Sequence, residues 1–404
     1  MTRFDQTPGL LTASGRPAKV ALVHEWFDHF YGSERVAAEI LTCFPEADVF
    51  TLVDIMEGDE RAFLDGKRIT TSFIQRLPFG NSKRFRKYLP LFPYAIEQFD
   101  LSDYDLVLSS SHAVAKGVLT GADQVHVAYV HTPMRYAWEL SHEYLRQSGL
   151  ARGLKGLLTR YFLHKLRLWD LRTVNGVDRF IANSAYVGRR IQKTYRRPSK
   201  VIHPPVDVDR FQMRPDEKKD HYLAVSRFVP YKHTETIVDA FVGMPDRKLV
   251  VIGDGPGLKA AKARATSNIT ILPPQPFHEL ERHMREARAF IFAPEEDFGI
   301  TPVEAQAAGT PIIAYGAGGV LETVRDLDQS EPTGLFFEAQ TPEAIRATVQ
   351  RFEQQGNVIN PEHCRKNAER FTASNFRRDY LDHVRDAWLD HGGKIEDVAS
   401  TKVA

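Results

Sequence analysis

Short apolar runs rich in Val, Ile and Phe alternate with helical patterns along most of the chain. The runs at 19–24, 48–53, 106–110, 125–130, 180–183 and 201–203 predict strands, as do those at 222–226, 249–253, 269–272, 290–293, 311–315 and 335–337. Helical stretches lie between them at 33–44, 185–195, 233–244, 277–287, 302–308 and 342–352. This alternation predicts an α/β protein of parallel sheets flanked by helices. A dozen strands are too many for one open sheet, so two sheets are expected. His203-Pro204-Pro205-Val206-Asp207 can continue neither a helix nor a central strand, because proline lacks the amide hydrogen. The charged run Asp216-Glu217-Lys218-Lys219-Asp220 follows, which sets a hinge near 200–218. The expected division is a first domain at 19–203, a second at 204–374, and a late helix at 375–389, with loose tails at 1–18 and 391–404.

Composition narrows the class. Hydrophobic residues at 43% and charged residues at 26% are those of a soluble globular protein. No apolar run approaches the ~20 residues of a membrane span, and the first residues read as a tail, not a signal peptide. Cys43 and Cys364 have no metal-ligand spacing, which points to core thiols in a reducing cytosol. The net charge of +1 conceals an asymmetry: residues 1–200 hold 28 Lys and Arg against 21 Asp and Glu, whereas residues 201–404 hold 25 against 31. Thirteen of the basic residues fall in 151–200, opposed only by Asp170 and Asp178, which suits either an anionic partner or a solvated basic face.

Several segments carry candidate chemistry. Gly253-Asp254-Gly255-Pro256-Gly257 follows a strand but has Leu258 where a dinucleotide fingerprint needs its third glycine, so tight-turn glycines are expected. Asp103/Asp105, Asp207/Asp209 and Asp326/Asp328 are short acidic pairs of the kind that arise by chance, and no metal is expected. In 294–304, acidic residues after a strand lead through Gly299-Ile300-Thr301 into a helix with Pro302 in its first turn. Free amides and the positive dipole end there form an anion site, and Glu296 and Glu304 beside it accept hydrogen bonds from hydroxyls, a set suited to a phosphorylated sugar. Arg227 and Lys232, around a proline turn, supply two cations for a diphosphate. His131 stands at the end of an apolar run, where open α/β sheets bind ligands.

Taken in this order, the segments resemble the retaining glycosyltransferases of family 4, over residues 19–390. Glu296 and Glu304, running on into Ala305-Gln306-Ala307-Ala308-Gly309-Thr310-Pro311, look like the family's Glu-x7-Glu motif. Gly32-Ser33-Glu34-Arg35 looks like its glycine loop, with Ser33 in place of the second glycine. The 109–113 and 131–138 stretches are similar to the branch that builds O-antigen and exopolysaccharide with GDP-mannose. The resemblance implies a GT-B fold, two facing Rossmann-like domains with the late helix crossing back to the first. It implies a metal-independent hexosyltransferase that moves mannose from GDP-mannose to a saccharide acceptor linked to polyprenyl diphosphate. By the same resemblance, Glu296 and His131 meet the donor sugar and Glu304 the ribose. Arg227, Lys232 and the amides of Gly299, Ile300 and Thr301 clamp the diphosphate, and Gly32 and Ser33 admit acceptor and diphosphate.

A sugar-nucleotide epimerase of the same fold, a transferase using a UDP-sugar and a silent binding subunit are the alternatives. Basic residues interleave with large apolar ones at 73–89 and 146–172, which suits an anionic membrane surface and predicts a cytoplasmic enzyme held at its inner face. Core packing of the same apolar residues is the competing account. No nucleic-acid recognition module is present in the sequence.

Overall fold

The computed structural model describes residues 9–214 and 219–396. The strands of the first half are β1 (Leu10–Leu11), β2 (Val20–His24), β3 (Asp48–Thr51), β4 (Ile69–Thr71), β5 (Leu106–Ser111), β6 (Val125–Val130), β7 (Arg179–Ala182) and β8 (Lys200–Val201). Those of the second half are β9 (His221–Val225), β10 (Lys248–Ile252), β11 (Ile269–Leu272), β12 (Ala289–Phe292), β13 (Ile312–Tyr315) and β14 (Gly334–Phe337), and β15 (Lys394–Ile395) closes the chain. Each apolar run singled out above overlaps a strand, though 201–203 shares only Val201 with β8.

One seven-stranded sheet has the order β4-β3-β2-β5-β6-β7-β8, and one six-stranded sheet has the order β11-β10-β9-β12-β13-β14. Every pairing in both is parallel. Every residue of β2, β5 and β6 is buried, as expected of parallel strands covered by helices on both faces. The contacts divide the chain into two units. The first holds residues up to Pro204 together with those from Phe376 onward, and the second runs from Pro205 to Asn375. The late helix, Ala373–Asp390, belongs mainly to the first unit, where Phe376, Tyr380, Val384 and Trp388 join the core of that sheet.

The tails differ from expectation. Leu10–Leu11 pairs antiparallel with Lys394–Ile395, Leu10 is buried, and Trp388 Nε1 donates to the carbonyl oxygens of Leu11 (3.0 Å) and Lys394 (3.2 Å). Residues 9–18 and 391–396 therefore form an ordered two-stranded ribbon. Residues 1–8 and 397–404 of those tails lie outside the described residues, as do residues 215–218 at the hinge, which include the first three of the charged run.

Candidate functional site

Each sheet reverses its strand order once, and an open α/β sheet binds ligands outside the carboxyl ends of the strands at that reversal. In the second unit the reversal lies between β9 and β12. The loop after β9 carries Arg227 and Lys232, and the loop after β12 carries Glu296. Lys232 Nζ is ion-paired with Glu296 Oε1 across the reversal, with only 22% and 25% of the two side chains exposed. The sequence expectation gave these residues separate tasks on a diphosphate and a sugar. The structure points both at one place, while Arg227 is exposed beside them.

Gly299 has φ +87°, a left-handed conformation that favours glycine, and turns the chain into the helix Ile300–Ala307. Pro302 and Val303 are buried on that helix, whereas Ile300, Thr301 and Glu304 stay partly accessible. At 100° per residue Glu304 falls between Ile300 and Thr301 on the helix surface, one turn in from the amino end. The accessible edge thus presents first-turn amides, a hydroxyl and a carboxylate.

Backbone packing holds these loops still. A Cβ on Gly318 would stand 2.4 Å from the Glu296 carbonyl oxygen, and one on Gly319 would stand 2.4 Å from that of Asp297. The Gly319 amide donates to the Glu296 carbonyl at 2.8 Å. The loop after β13 can lie flush against the Glu296 loop only because both residues are glycine. Sequence reasoning missed this pair, whose signal is two glycines a few residues beyond an apolar run. Gly253 and Gly255 do the same for the Arg227 loop. Their Cβ atoms would approach the carbonyl oxygens of Ser226 and Phe228 to 1.9 and 2.7 Å, and Phe228 N donates to Asp254 O at 2.7 Å. These are the tight-turn glycines expected.

The run 305–311 after Glu304 is a packing motif. Ala305, Ala307 and Ala308 are fully buried, and Gly309 is left-handed at φ +74°. Buried Gln306 donates to Thr323 O at 2.8 Å and accepts from Asn367 Nδ2 at 2.7 Å. Arg365 closes the carboxyl end of the helix by donating to Ala307 O at 3.2 Å.

In the first unit the reversal lies between β2 and β5, and there the sequence reading missed a residue. Glu25, fully buried after β2, accepts from Ser111 Oγ (3.1 Å) and from the amides of His112 (3.0 Å), Ala113 (2.7 Å), Val114 (2.9 Å) and Ala115 (3.0 Å). One carboxylate thereby fixes the whole loop after β5. His131, at the end of β6, shares a hydrogen bond between its Nε2 and Ser110 Oγ at 2.9 Å. Burial, and secondarily the neighbouring His112 and His24, push its pKa well below the usual imidazole value, so the ring is neutral at pH 7.

Gly32 and Ser33 open the helix Gly32–Cys43, and Glu34 completes a capping box there. The Glu34 carboxylate accepts from Tyr31 N at 3.0 Å and Ser33 Oγ at 3.0 Å, and it lies 3.4 Å from His24 Nε2. Burial alone would raise its pKa, but the His24 bond and charge and the backbone donors outweigh burial and hold it at about 2.

At least one aspartate of each pair has a structural partner. Asp105 holds Arg16 through two bonds of 2.7 and 2.9 Å, Asp209 pairs with Arg365 at 3.2 Å, and Asp326 caps the amide of Leu327 at 2.8 Å. Among the described residues, no three His, Cys, Asp or Glu side chains gather in a way that could hold a metal ion. Cys43 and Cys364 are both buried and form no disulfide; the Cys364 thiol donates to Thr333 O at 3.8 Å.

Comparison with known proteins agrees with this fold. Residues 30–210 match the family model described as Glycosyltransferase Family 4, and residues 206–371 match Glycosyl transferases group 1. The chain is 31% identical over 182 residues to a D-inositol 3-phosphate glycosyltransferase of Mycobacterium sp. (strain KMS), a match covering 39% of this chain and 41% of that protein. The same-named protein of Mycobacterium leprae (strain Br4923) is 32% identical over 184 residues, covering 39% and 42%. The chain thus spans about two fifths of the length of the curated relatives it matches. Among solved structures, HepE of Anabaena in complex with UDP is similar with a TM-score of 0.63 at 16% identity, covering 91% of this chain and all of that one. WaaG, a glycosyltransferase involved in lipopolysaccharide biosynthesis, gives 0.62 at 15% identity, covering 90% and 99%. Two family models that together tile residues 30–371, on two parallel sheets of this strand order, make the chain a member of the family 4 glycosyltransferases with the GT-B fold.

Proposed function

We propose that this protein is a retaining, metal-independent glycosyltransferase. It moves mannose from GDP-mannose to a saccharide acceptor carried on a polyprenyl diphosphate, in the synthesis of a bacterial surface polysaccharide. The observation that carries the reading is the convergence at the β9/β12 reversal: the Lys232–Glu296 pair, the left-handed Gly299 and the accessible Ile300–Glu304 edge form one anion-and-hydroxyl site. As a nucleoside diphosphate leaves, negative charge develops on it. In this reading Arg227, Lys232 and the first-turn amides stabilise that charge. Glu296 accepts from sugar hydroxyls and Glu304 from the ribose. In the first unit His131, being neutral, can offer a saccharide a hydrogen bond without adding a positive charge. We also propose that the enzyme is cytoplasmic and peripheral at the inner face of the membrane. Among the described residues no helix is long and apolar enough to cross one.

A thermal-shift series with GDP, UDP, ADP and their sugars tests the donor, because a ligand that binds only the folded state raises its stability by mass action. GDP and GDP-mannose are expected to stabilise the protein, and Glu296→Gln is expected to abolish acceptor-dependent release of GDP. Release by this variant at the wild-type rate would remove Glu296 from the site. A new epimer formed without acceptor would replace transfer by epimerisation. A UDP-sugar is the second reading, favoured by the solved complexes of HepE with UDP and with UDP-glucose. Selective stabilisation by UDP would establish it.

A further inference from the structure

The helix Gly153–Thr173 carries two apolar faces, and the fold uses one of them. Leu163 and Leu166 pack into the core of the first unit, and Gly156, Asp170 and Thr173 are buried on the same side. On the opposite side, Leu154, Leu157, Leu158, Tyr161 and Leu168 recur at helical spacings of three, four and seven residues, within an arc of about 100°. All five are exposed, Leu154 by 81% and Leu157 by 64%. A row of large apolar side chains along one helix face in water marks an interaction surface.

Its charge identifies what covers it. Arg152, Lys155, Arg160, Lys165 and Arg167 accompany the row, and no acidic residue occurs between 150 and 169. Asp170, the next acid, is buried against Lys116. Lys165 lies inside the stripe, its Nζ 5.6 Å from the centre of the Tyr161 ring. A second copy of the chain would set these cations against one another, whereas an anionic leaflet takes the leucines between its headgroups and pairs the cations with phosphates.

The other basic and aromatic segment, at 73–89, is different from its sequence reading. Ile74 and Phe85 are core residues, so the apolar part of that segment is largely structural. Phe79, Leu91 and Tyr94 are exposed. Glu97, just beyond Tyr94, ties this region to the helix by accepting from Trp169 Nε1 at 2.6 Å and pairing with Arg172.

We infer that Leu154, Leu157, Leu158, Tyr161 and Leu168 insert into the interfacial layer of an anionic lipid leaflet, making this helix the membrane-docking element of the protein. The inference rests on the peripheral-membrane reading and supplies its structural device; it is independent of the donor.

The test is co-sedimentation of the full chain with vesicles of equal parts phosphatidylglycerol and phosphatidylethanolamine, and with vesicles of phosphatidylcholine alone. The wild type is expected to sediment with the anionic vesicles, to be largely released by high salt, and to ignore phosphatidylcholine. Leu157→Gln/Leu158→Gln removes apolar surface while keeping helix-forming residues, and is expected to weaken anionic binding about tenfold or more. Its nucleotide-induced thermal shift should be unchanged. If the wild type binds the anionic vesicles and the double variant binds equally well, the helix assignment fails and peripheral association survives. If the wild type binds neither vesicle at low salt, both fail. If the wild type is a dimer by analytical ultracentrifugation and the variant a monomer, the face is a self-interface and the inference is overturned.

Discussion

Asp170 offers a demanding test of how the first unit is held together. Its carboxylate is fully buried. It sits 2.7 Å from Lys116 Nζ, accepts from Trp138 Nε1 at 2.7 Å, and receives the Tyr195 hydroxyl at 3.1 Å from each oxygen. Lys116 is just as hidden, and its ammonium also donates to Asp170 O at 3.1 Å and Thr173 Oγ1 at 2.6 Å. Below it Gly117 packs so tightly that a Cβ would come within 2.3 Å of the Trp169 ring. Three elements are joined through this one carboxylate: the turn after β5, the Gly153–Thr173 helix and the Ala185–Tyr195 helix.

Asp170→Ala strands a buried ammonium, and breaking a buried pair from one side costs about 3–5 kcal/mol. Trp138 and Tyr195 lose an acceptor at the same time, which keeps the expected loss toward the upper end of that range. Removing both charges, as in Lys116→Met/Asp170→Leu, should cost much less than the single change, because no orphan charge remains. The assay follows from the sequence: all four tryptophans, Trp26, Trp138, Trp169 and Trp388, lie in the first unit. Tryptophan fluorescence during urea or thermal unfolding therefore follows this unit alone. For a unit of this size about 1 kcal/mol moves the midpoint by roughly 2–4 °C, so Asp170→Ala should lower it by roughly 6–20 °C. A single variant within about 1 kcal/mol of wild type, or a double variant more damaged than the single, would refute the argument.

Lys232→Ala is expected to lower transfer by about 10²–10³-fold, the effect of removing one preorganised group at a developing charge, and to leave the tryptophan-detected midpoint unchanged. Near-normal turnover would remove Lys232 from the donor site. Excess EDTA is expected to leave transfer intact, since Arg227 and Lys232 are available to neutralise the diphosphate; activity lost to chelator and restored by magnesium or manganese would overturn this. Burial holds the His126 pKa down at about 4, so the unfolded chain takes up a proton near pH 6.5 that the folded chain refuses. The stability this provides is complete above pH ~6.5 and declines by about 3 kcal/mol toward pH 4. Glu34, held at about 2, adds a further loss between its ordinary value of 4.5 and pH 2. Urea midpoints followed by fluorescence from about pH 7 to 4 check the first window, and a flat profile would contradict it.

What the sequence disclosed, and what it withheld, follows from the range of the interactions. Buried parallel strands are continuous apolar runs, so β2, β5, β6 and the strands of the second sheet stand out locally. β4 does not, because it is three residues long, half-buried and partly polar (Ile-Thr-Thr). The ribbon of Leu10–Leu11 with Lys394–Ile395 joins residues from opposite ends of the chain, and no local pattern encodes that contact. Glu296 and Lys232 were legible because strand, loop and helix signals surround them. Glu25 was not: a lone glutamate after a strand reads as a solvated loop residue. Its meaning lies in donors 86–90 residues further on. The alternation of cations with aromatics at 73–89 misled for the opposite reason, since Ile74 and Phe85 turn inward while their basic neighbours stay near the surface.

The two reversals also differ in what they offer an anion. Both sheets place a glutamate in the loop beyond a strand beside the reversal, but the two carboxylates find different partners. Glu25 takes the amides of four successive residues and the hydroxyl of Ser111, so the loop after β5 already has its negative charge and offers those donors to nothing else. Glu34 does the same at the Gly32–Cys43 helix, where it bonds the Tyr31 amide and the Ser33 hydroxyl. Glu296 instead pairs with a lysine side chain, whose three donors can serve a carboxylate and a phosphate together. The Ile300–Ala307 helix has no side-chain cap from its N-cap residue, Gly299. On the proposed reading, a diphosphate at the β9/β12 reversal would meet a cation and helix amides. At the β2/β5 reversal it would meet donors that Glu25 has already claimed. The first unit is left with neutral His131, hydrogen-bonded to the Ser110 hydroxyl, chemistry that suits an uncharged sugar better than a phosphate.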